Sequence, residues 1–171
     1  LAFADNGRTI YIEAQDLGTT KIFRTSATGG TPEIAYAPET GSVTGLQSEG
    51  GVIVGKYAAS TDPGQIVRFD PATSQFTRFD LPLSPQGGDT PYALNVDRPR
   101  GIVWVNGNQS DSLYTFDITS ETWANIPLPR RVTFTRDVEF EPDGTAYTAI
   151  AHFPGWHVED GQSTLIRVQR P

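Results

Sequence analysis

Two interleaved series of short β-rich segments, each recurring four times, predict an all-β repeat protein. The first series is Thr9-Ile10-Tyr11-Ile12, Val52-Ile53-Val54, Ile102-Val103-Trp104-Val105 and Thr145-Ala146-Tyr147-Thr148; the steps between Ile10, Ile53, Val103 and Ala146 are 43, 50 and 43 residues. The second is Lys21-Ile22-Phe23-Arg24, Gln65-Ile66-Val67-Arg68, Ser112-Leu113-Tyr114-Thr115 and Thr164-Leu165-Ile166-Arg167; the steps between Ile22, Ile66, Leu113 and Leu165 are 44, 47 and 52 residues. A multi-stranded unit recurring every ~40 to 50 residues has the period of a propeller blade. No stretch of ten or more residues carries a clean 3.6-residue period with caps, so no helix is needed. The fold expected is a β-propeller of about four four-stranded blades, near residues 1–37, 38–83, 84–131 and 132–171. An evenly spaced β-sandwich is the alternative, and recurrence of the whole unit speaks against it.

Composition agrees with a turn-rich β chain. The 171 residues include 17 Gly and 13 Pro, while charged residues are 19% of the total, against a usual ~25%. Within residues 91–129, Tyr92 to Val96 alternates as a first strand and Arg98-Pro99-Arg100-Gly101 makes a turn. Ile102 to Val105, Leu113 to Phe116 and Thr122 to Ile126 then follow as strands two to four. In the first unit the four strands are Leu1 to Phe3, Thr9 to Glu13, Lys21 to Arg24 and Glu33 to Tyr36. Asp70-Pro71-Ala72-Thr73 suits a type I turn, with Pro presetting φ and Asp accepting from the following amides. Asp117-Ile118-Thr119-Ser120 repeats that position, and Glu141-Pro142-Asp143-Gly144 punctuates the last unit. That unit reaches Pro171 in its third strand, so the expectation is the C-terminal part of a larger ring, lacking N-terminal blades or completed by a second chain. An unpaired blade edge would otherwise invite aggregation.

Charge and residue inventory narrow the chemistry. A net charge of -7 with only 13 Lys and Arg opposes nucleic acid, whose binding requires many cations to displace counterions. No cysteine is present, which removes disulfides, thiolate metal sites and thiol nucleophiles. No run approaches the ~18 apolar residues of a membrane-spanning helix. Phosphate-binding glycine loops, nucleophile elbows and calcium-loop spacings do not occur. Asn108-Gln109-Ser110 matches a glycosylation sequon, a pattern too short to carry weight alone.

The runs Gln65-Ile66-Val67-Arg68-Phe69-Asp70-Pro71-Ala72-Thr73, Phe76-Thr77-Arg78-Phe79-Asp80-Leu81-Pro82, Thr90-Pro91-Tyr92-Ala93-Leu94-Asn95-Val96-Asp97 and Ile102-Val103-Trp104-Val105 resemble the virginiamycin B lyase (streptogramin lyase)-like propeller family. The resemblance covers units two to four. It implies a seven-bladed ring and an extracytoplasmic setting, periplasmic or secreted. In the lyase it implies a site at the channel mouth where a histidine base and a metal held by acidic residues open a cyclic depsipeptide by elimination. At the family's Pro-His-Gly positions this sequence has Pro91-Tyr92-Ala93 and Thr135-Arg136-Asp137. Tyrosine, with an ordinary pKa near ~10, and arginine, always protonated, do not replace that base.

Propeller geometry puts two loop classes on one face: strand two to three (residues 13–20, 56–64, 106–111 and 150–162) and strand four to the next blade (37–42, 82–91 and 129–136). The longest holds His152, Trp156, His157 and Glu159. Its imidazoles and carboxylate could ligate a divalent metal such as Mg2+ or Ca2+, or His157 could act as a base oriented by Glu159. The alternative is a cover packed by Phe153 and Trp156. Arg130, Arg131 and Arg136 gather positive charge on the same face and could hold a carboxylate or sulfate bidentately. Trp156 and Tyr57 add aromatic surface there. Arg24, Arg68 and Arg167 read as packing between blades, and Tyr11, Trp104 and Tyr147 as core between blades. The reading is a binding or interaction module taking a small molecule or another protein chain; the alternative is a metal-dependent lyase or hydrolase on His152, His157 and Glu159.

Overall fold

The computed structural model describes residues 1–16, 19–49, 52–58, 64–84, 87–107, 110–129, 133, 135–150 and 163–169, with only the backbone of residues 16, 49, 52, 53, 57 and 58. Among them lie fifteen strands and two three-residue 3-10 turns. The chain divides into two compact units, Leu1–Asp80 and Leu81–Pro171.

In the first unit, β1 (Ala2–Ala4), β2 (Thr9–Asp16), β3 (Thr19–Ser26) and β4 (Glu33–Tyr36) form one antiparallel set, and β5 (Ser42–Glu49), β6 (Val52–Ala58), β7 (Gln65–Asp70) and β8 (Gln75–Asp80) a second. The two sets join in one eight-stranded sheet through the parallel pair Thr20 and Ser42 between β3 and β5. Strand alternation separates two faces of the first set. Ala2, Tyr11 and Ile22 point to one face and bury against Val43, Leu46, Val67 and Phe69 of the second set. Aromatic rings knit this core: Tyr11 meets Phe69 edge-on at 5.5 Å between centroids, and Tyr36 stacks on Phe76 at 3.6 Å. Strand β5 departs from clean alternation because Gly45, at φ +67, lies in an irregularity between Thr44 and Gln47. Glycine adopts this conformation without the Cβ clash other residues suffer.

In the second unit, β9 (Pro91–Asp97), β10 (Ile102–Gly107), β11 (Ser112–Asp117) and β12 (Thr122–Pro127) form a four-stranded antiparallel sheet ordered β12-β11-β10-β9. Strands β13 (Glu139–Phe140), β14 (Ala146–Ile150) and β15 (Thr164–Val168) make a three-stranded sheet. Every residue of β10 is buried, as expected of a strand covered on both faces. Trp104, Ile102 and Leu113 of the larger sheet pack against Ala146, Ile150 and Ile166 of the smaller, and Phe140 lies 5.8 Å from Trp104 between ring centroids. Each fully buried Leu or Ile side chain here contributes roughly 1.5–3 kcal/mol.

The turns behave as their chemistry dictates. Asp70 accepts the Ala72 amide at 2.8 Å and the Thr73 hydroxyl at 2.9 Å; Asp117 accepts the Thr119 and Ser120 amides, each at 2.9 Å. Arg98-Pro99-Arg100 forms a 3-10 turn closed by left-handed Gly101. Two of the recurring arginines are engaged by cross-strand neighbours. Arg24 pairs with Glu33 across β3 and β4 at 3.1 Å, and Arg68 lies over the Phe79 ring at 5.3 Å. Both contacts run along one strand set, because the long side chains reach cross-strand neighbours before any other sheet. Trp104 and Tyr11 are core between strand sets as expected; Tyr147 is only partly buried.

Candidate functional site

One end of the second unit gathers its loops. Gly107 at the end of β10 pairs with Pro91 at the start of β9, and Ile150 at the end of β14 bridges to Thr135. The segments preceding β9 and β13 and the turn between β10 and β11 therefore lie at this end of the sheets.

Beneath it sits a buried polar network. The Asp89 carboxylate, 5% exposed, accepts at Oδ2 from the Ser110 hydroxyl and from the Tyr114 hydroxyl at 3.1 Å, and at Oδ1 from the Thr90 amide at 2.7 Å. Ser110 and Tyr114 also contact one another, oxygen to oxygen, at 2.9 Å. Burying a carboxylate is costly unless donors surround it, and these three supply them. Burial pushes the Tyr114 phenol up from its ordinary value; the Ser110 hydrogen bond opposes that shift and the Asp89 charge adds to it. The carboxylate has room only because residue 107 lacks a side chain, since a Cβ there would overlap Asp89 Oδ2.

A second cluster ties β10 to the smaller sheet. Asn106 Nδ2 donates to the Asp137 carbonyl at 3.2 Å and to Thr148 Oγ1 at 3.1 Å, while the Thr148 hydroxyl donates to the same carbonyl at 2.6 Å. Asp111 accepts the Thr133 amide at 2.7 Å and its hydroxyl at 3.0 Å, fixing the chain entering β13.

Above these, Tyr92 and Arg136 meet. Both are exposed, and the Arg136 guanidinium carbon lies 5.5 Å from the Tyr92 ring centroid. That is within the ~6 Å at which a cation is held by an aromatic quadrupole. The two residues are those that the sequence resemblance sets at matching repeat positions. The structure thus brings two matching repeat positions together as a guanidinium on an aromatic face.

Of the residues singled out in the sequence, Arg136 stands on this end of the unit. Tyr57 belongs to β6, where its backbone pairs with Val43 and Gln65; its side chain lies outside the description. Arg130, Arg131, His152, Trp156, His157 and Glu159 lie outside the described residues, as does the question of a divalent ion on them. Among the described residues no group of three His, Asp or Glu side chains could hold a metal. Asp89, Ser110, Tyr114, Asn106 and Tyr92 escaped the sequence reading as a group. The available signals were Gly107 at a strand end, which marks a close approach, and the shared repeat position of Tyr92 and Arg136. Ser110, the hydroxyl residue of the sequon, is buried.

No protein-family model matches the chain, and no curated protein matches it in sequence. Solved structures do. A streptogramin B lyase superposes with a TM-score of 0.64 at 17% identity, covering 98% of this chain and 53% of that one. TolB from Acinetobacter baumannii gives 0.60 at 12% identity, covering 96% and 41%. The fold is a streptogramin-lyase-like β-propeller fold. A puromycin-hydrolysing peptidase of Mycobacterium tuberculosis matches at 0.53 and 16% identity over 84% of this chain and 24% of its own. This propeller chain spans about half the length of the streptogramin B lyase. At such identities the likeness establishes fold, and activity has to be argued from side chains.

Proposed function

We propose that this propeller chain is a binding module whose ligand face is formed by the strand two to three and strand four to one loops. The Arg136–Tyr92 pair is its contact point for a small molecule carrying a carboxylate beside a planar group. The pair carries the reading: a guanidinium offers paired donors that match a carboxylate, and the tyrosine ring offers a flat apolar surface. The networks on Asp89 and Asn106 support it by fixing the segments that present Tyr92 and Arg136, since a preorganised site loses less entropy on binding. Arg130 and Arg131 belong to the same proposal as neighbours in sequence of that face. The extracytoplasmic location implied by the family resemblance goes with this reading. Among the described residues no helix is long and apolar enough to cross a membrane.

The test is titration with benzoate against benzyl alcohol, followed by NMR. Saturable millimolar binding of benzoate alone is expected, weakened about tenfold by Arg136→Gln or Tyr92→Ala, the change that ~1.4 kcal/mol produces. Equal shifts for both probes, or none, overturn the proposal. The lyase-like fold favours a second reading, a metal-dependent lyase or hydrolase on His152, His157 and Glu159. It predicts opening of a cyclic ester that is lost with EDTA and with His157→Ala.

A further inference from the structure

The chain holds two Asn-Gly dipeptides, Asn6-Gly7 and Asn106-Gly107. In such a pair the glycine nitrogen can attack the asparagine side-chain carbonyl, because glycine has no side chain to block the close approach. The remaining asparagines precede Val, Gln or Ile, whose side chains crowd that approach. One reactive motif thus occurs twice, and the structure gives its two copies opposite surroundings.

Asn106 is fully buried near the end of β10. Its Nδ2 donates to the Asp137 carbonyl at 3.2 Å and to Thr148 Oγ1 at 3.1 Å, so the group that would have to leave is held by two acceptors. Gly107 pairs with Pro91, and a Cβ on it would fall 2.8 Å from Ser110 Oγ and overlap Asp89. Packing this close leaves the backbone no room to rotate into a ring.

Asn6 stands in the tip joining β1 to β2, and both it and Gly7 are exposed. Asp5, Asn6 and Gly7 take left-handed φ of 53, 55 and 82, a backbone that Asn and Gly adopt more readily than other residues. The turn therefore favours the very dipeptide that reacts. Side-chain hydrogen bonds in the tip go to Asp5, from Arg8 Nε at 3.1 Å and from Thr9 Oγ1 at 2.6 Å; among the described residues none reaches the Asn6 amide. A Cβ on Gly7 would meet no atom within 4 Å. Attack requires the Asn6 Cα–C bond to turn from its ψ of 41, and an exposed hairpin tip opens at little cost.

We propose that Asn6 is a site of spontaneous deamidation to aspartate and isoaspartate, while the fold keeps Asn106 intact. The Gly7 nitrogen bonds to Asn6 Cγ, the Cγ–Nδ2 bond breaks, and ammonia departs with the proton that the Gly7 amide gives up, leaving a succinimide ring. Water then opens the ring. Its attack at Cγ gives aspartate; its attack at the main-chain carbonyl routes the backbone through the side chain as isoaspartate and lengthens the tip by a methylene. Either product adds one negative charge to the chain's -7. The same change at Asn106 would set an oxygen against the Asp137 carbonyl that now receives a donor, so the protected copy is the one whose loss would break a contact between sheets.

Incubation of the 171-residue chain at pH 8 and 37 °C, followed by tryptic mass spectrometry, tests it. Trypsin places the two sites in separate peptides, Leu1–Arg8 and Gly101–Arg130, and fragment ions assign any gain of one mass unit to Asn6 or Asn106. Asn6 should react at least about tenfold faster than Asn106, the ratio that ~1.4 kcal/mol of barrier produces. Part of the Asn6 product should accept a methyl group from an isoaspartate methyltransferase, and Asn6→Gln should abolish it. In guanidinium chloride the two sites should react at similar rates, because the fold no longer separates them. Equal rates in the folded chain, faster reaction at Asn106, or an unchanged Asn6 over the time in which the unfolded chain reacts overturns the proposal. A rate difference that persists undiminished in denaturant also overturns it, since the fold would then not be its cause.

Discussion

Asn106 of β10 holds the main chain of Asp137, its Nδ2 donating to that carbonyl at 3.2 Å. Three residues after Ile10, at the position that Asn106 occupies after Val103, Glu13 makes the complementary contact in the first unit. Its Oε2 accepts the Leu46 amide at 3.1 Å. In both units a polar side chain on a second strand holds the backbone of a later segment, strand β5 in the first and the stretch preceding β13 in the second. Glu13→Ala would leave the buried Leu46 amide without this acceptor and should cost about 1–3 kcal/mol, with Glu13→Gln recovering most of it. Asn106→Ala should cost a similar amount. Urea midpoints at constant m-value measure both.

Gly107 should tolerate no side chain. Gly107→Ala is expected to destabilise by about 1–3 kcal/mol through overpacking against Asp89. Because the severest overlap is with the Asp89 carboxylate, and the next is with Ser110 Oγ at 2.8 Å, the double variant with Asp89→Ala should lose less than the sum of the two changes. Strict additivity in a double-mutant cycle would refute the overlap as the cause.

Tyr114 gives the fold an alkaline limit. Its phenol is raised above the ordinary 10.0 by burial, so the folded state keeps a proton that the unfolded chain releases. The stabilisation is complete below about pH 10 and fades as pH climbs through the folded value. Tyr11 shifts in the same direction, again chiefly by burial. Tyr114→Phe should lower stability at pH 8 by about 1–3 kcal/mol through the donor lost to Asp89. It should also flatten the decline between pH 9.5 and 11 without abolishing it, as Tyr11 remains. Denaturation curves across that range decide it.

At the opposite end of the second unit, Arg100 spans two turns. Its Nη1 contacts Asp97 at 3.2 and 3.3 Å and its Nη2 donates to the Pro142 carbonyl at 3.2 Å. Asp97 is buried, while the arginine side chain is about a third exposed. Arg100→Ala should therefore cost about 1–3 kcal/mol, less than breaking a fully buried pair. Arg100→Lys should not restore it, because one ammonium lacks the planar fork that serves both partners. Thermal melts of the two variants provide the comparison.

The strands were legible because alternation and turn residues are local properties. Glu33–Tyr36 has the limits the sequence predicts, and Gln65, Ile102 and Thr164 begin the strands expected there. Asp70 and Asp117 announce their turns through a carboxylate two or three residues before the amides it accepts. What stayed hidden depends on convergence. Asp89, Gly107, Ser110 and Tyr114 meet only after a loop, a strand end and the middle of another strand fold together, and no spacing encodes that. Arg24 and Arg68 recur faithfully, yet recurrence gives no direction, and only cross-strand register shows them engaged with Glu33 and Phe79. Tyr92 and Arg136 fall between: their shared repeat position is in the sequence, their contact is not.

The clasps at Glu13 and Asn106 share a property with evolutionary weight. Each is made by a side chain on one strand and a peptide group of a later segment, so the receiving residue contributes only backbone, which no substitution removes except proline in place of Leu46. One clasp accepts a proton and the other donates one, which shows that even the sign of the contact is free to invert. Stacking of this sort can outlast the divergence of the letters that first specified it, and duplicated copies can drift far apart in sequence while still gripping their neighbours.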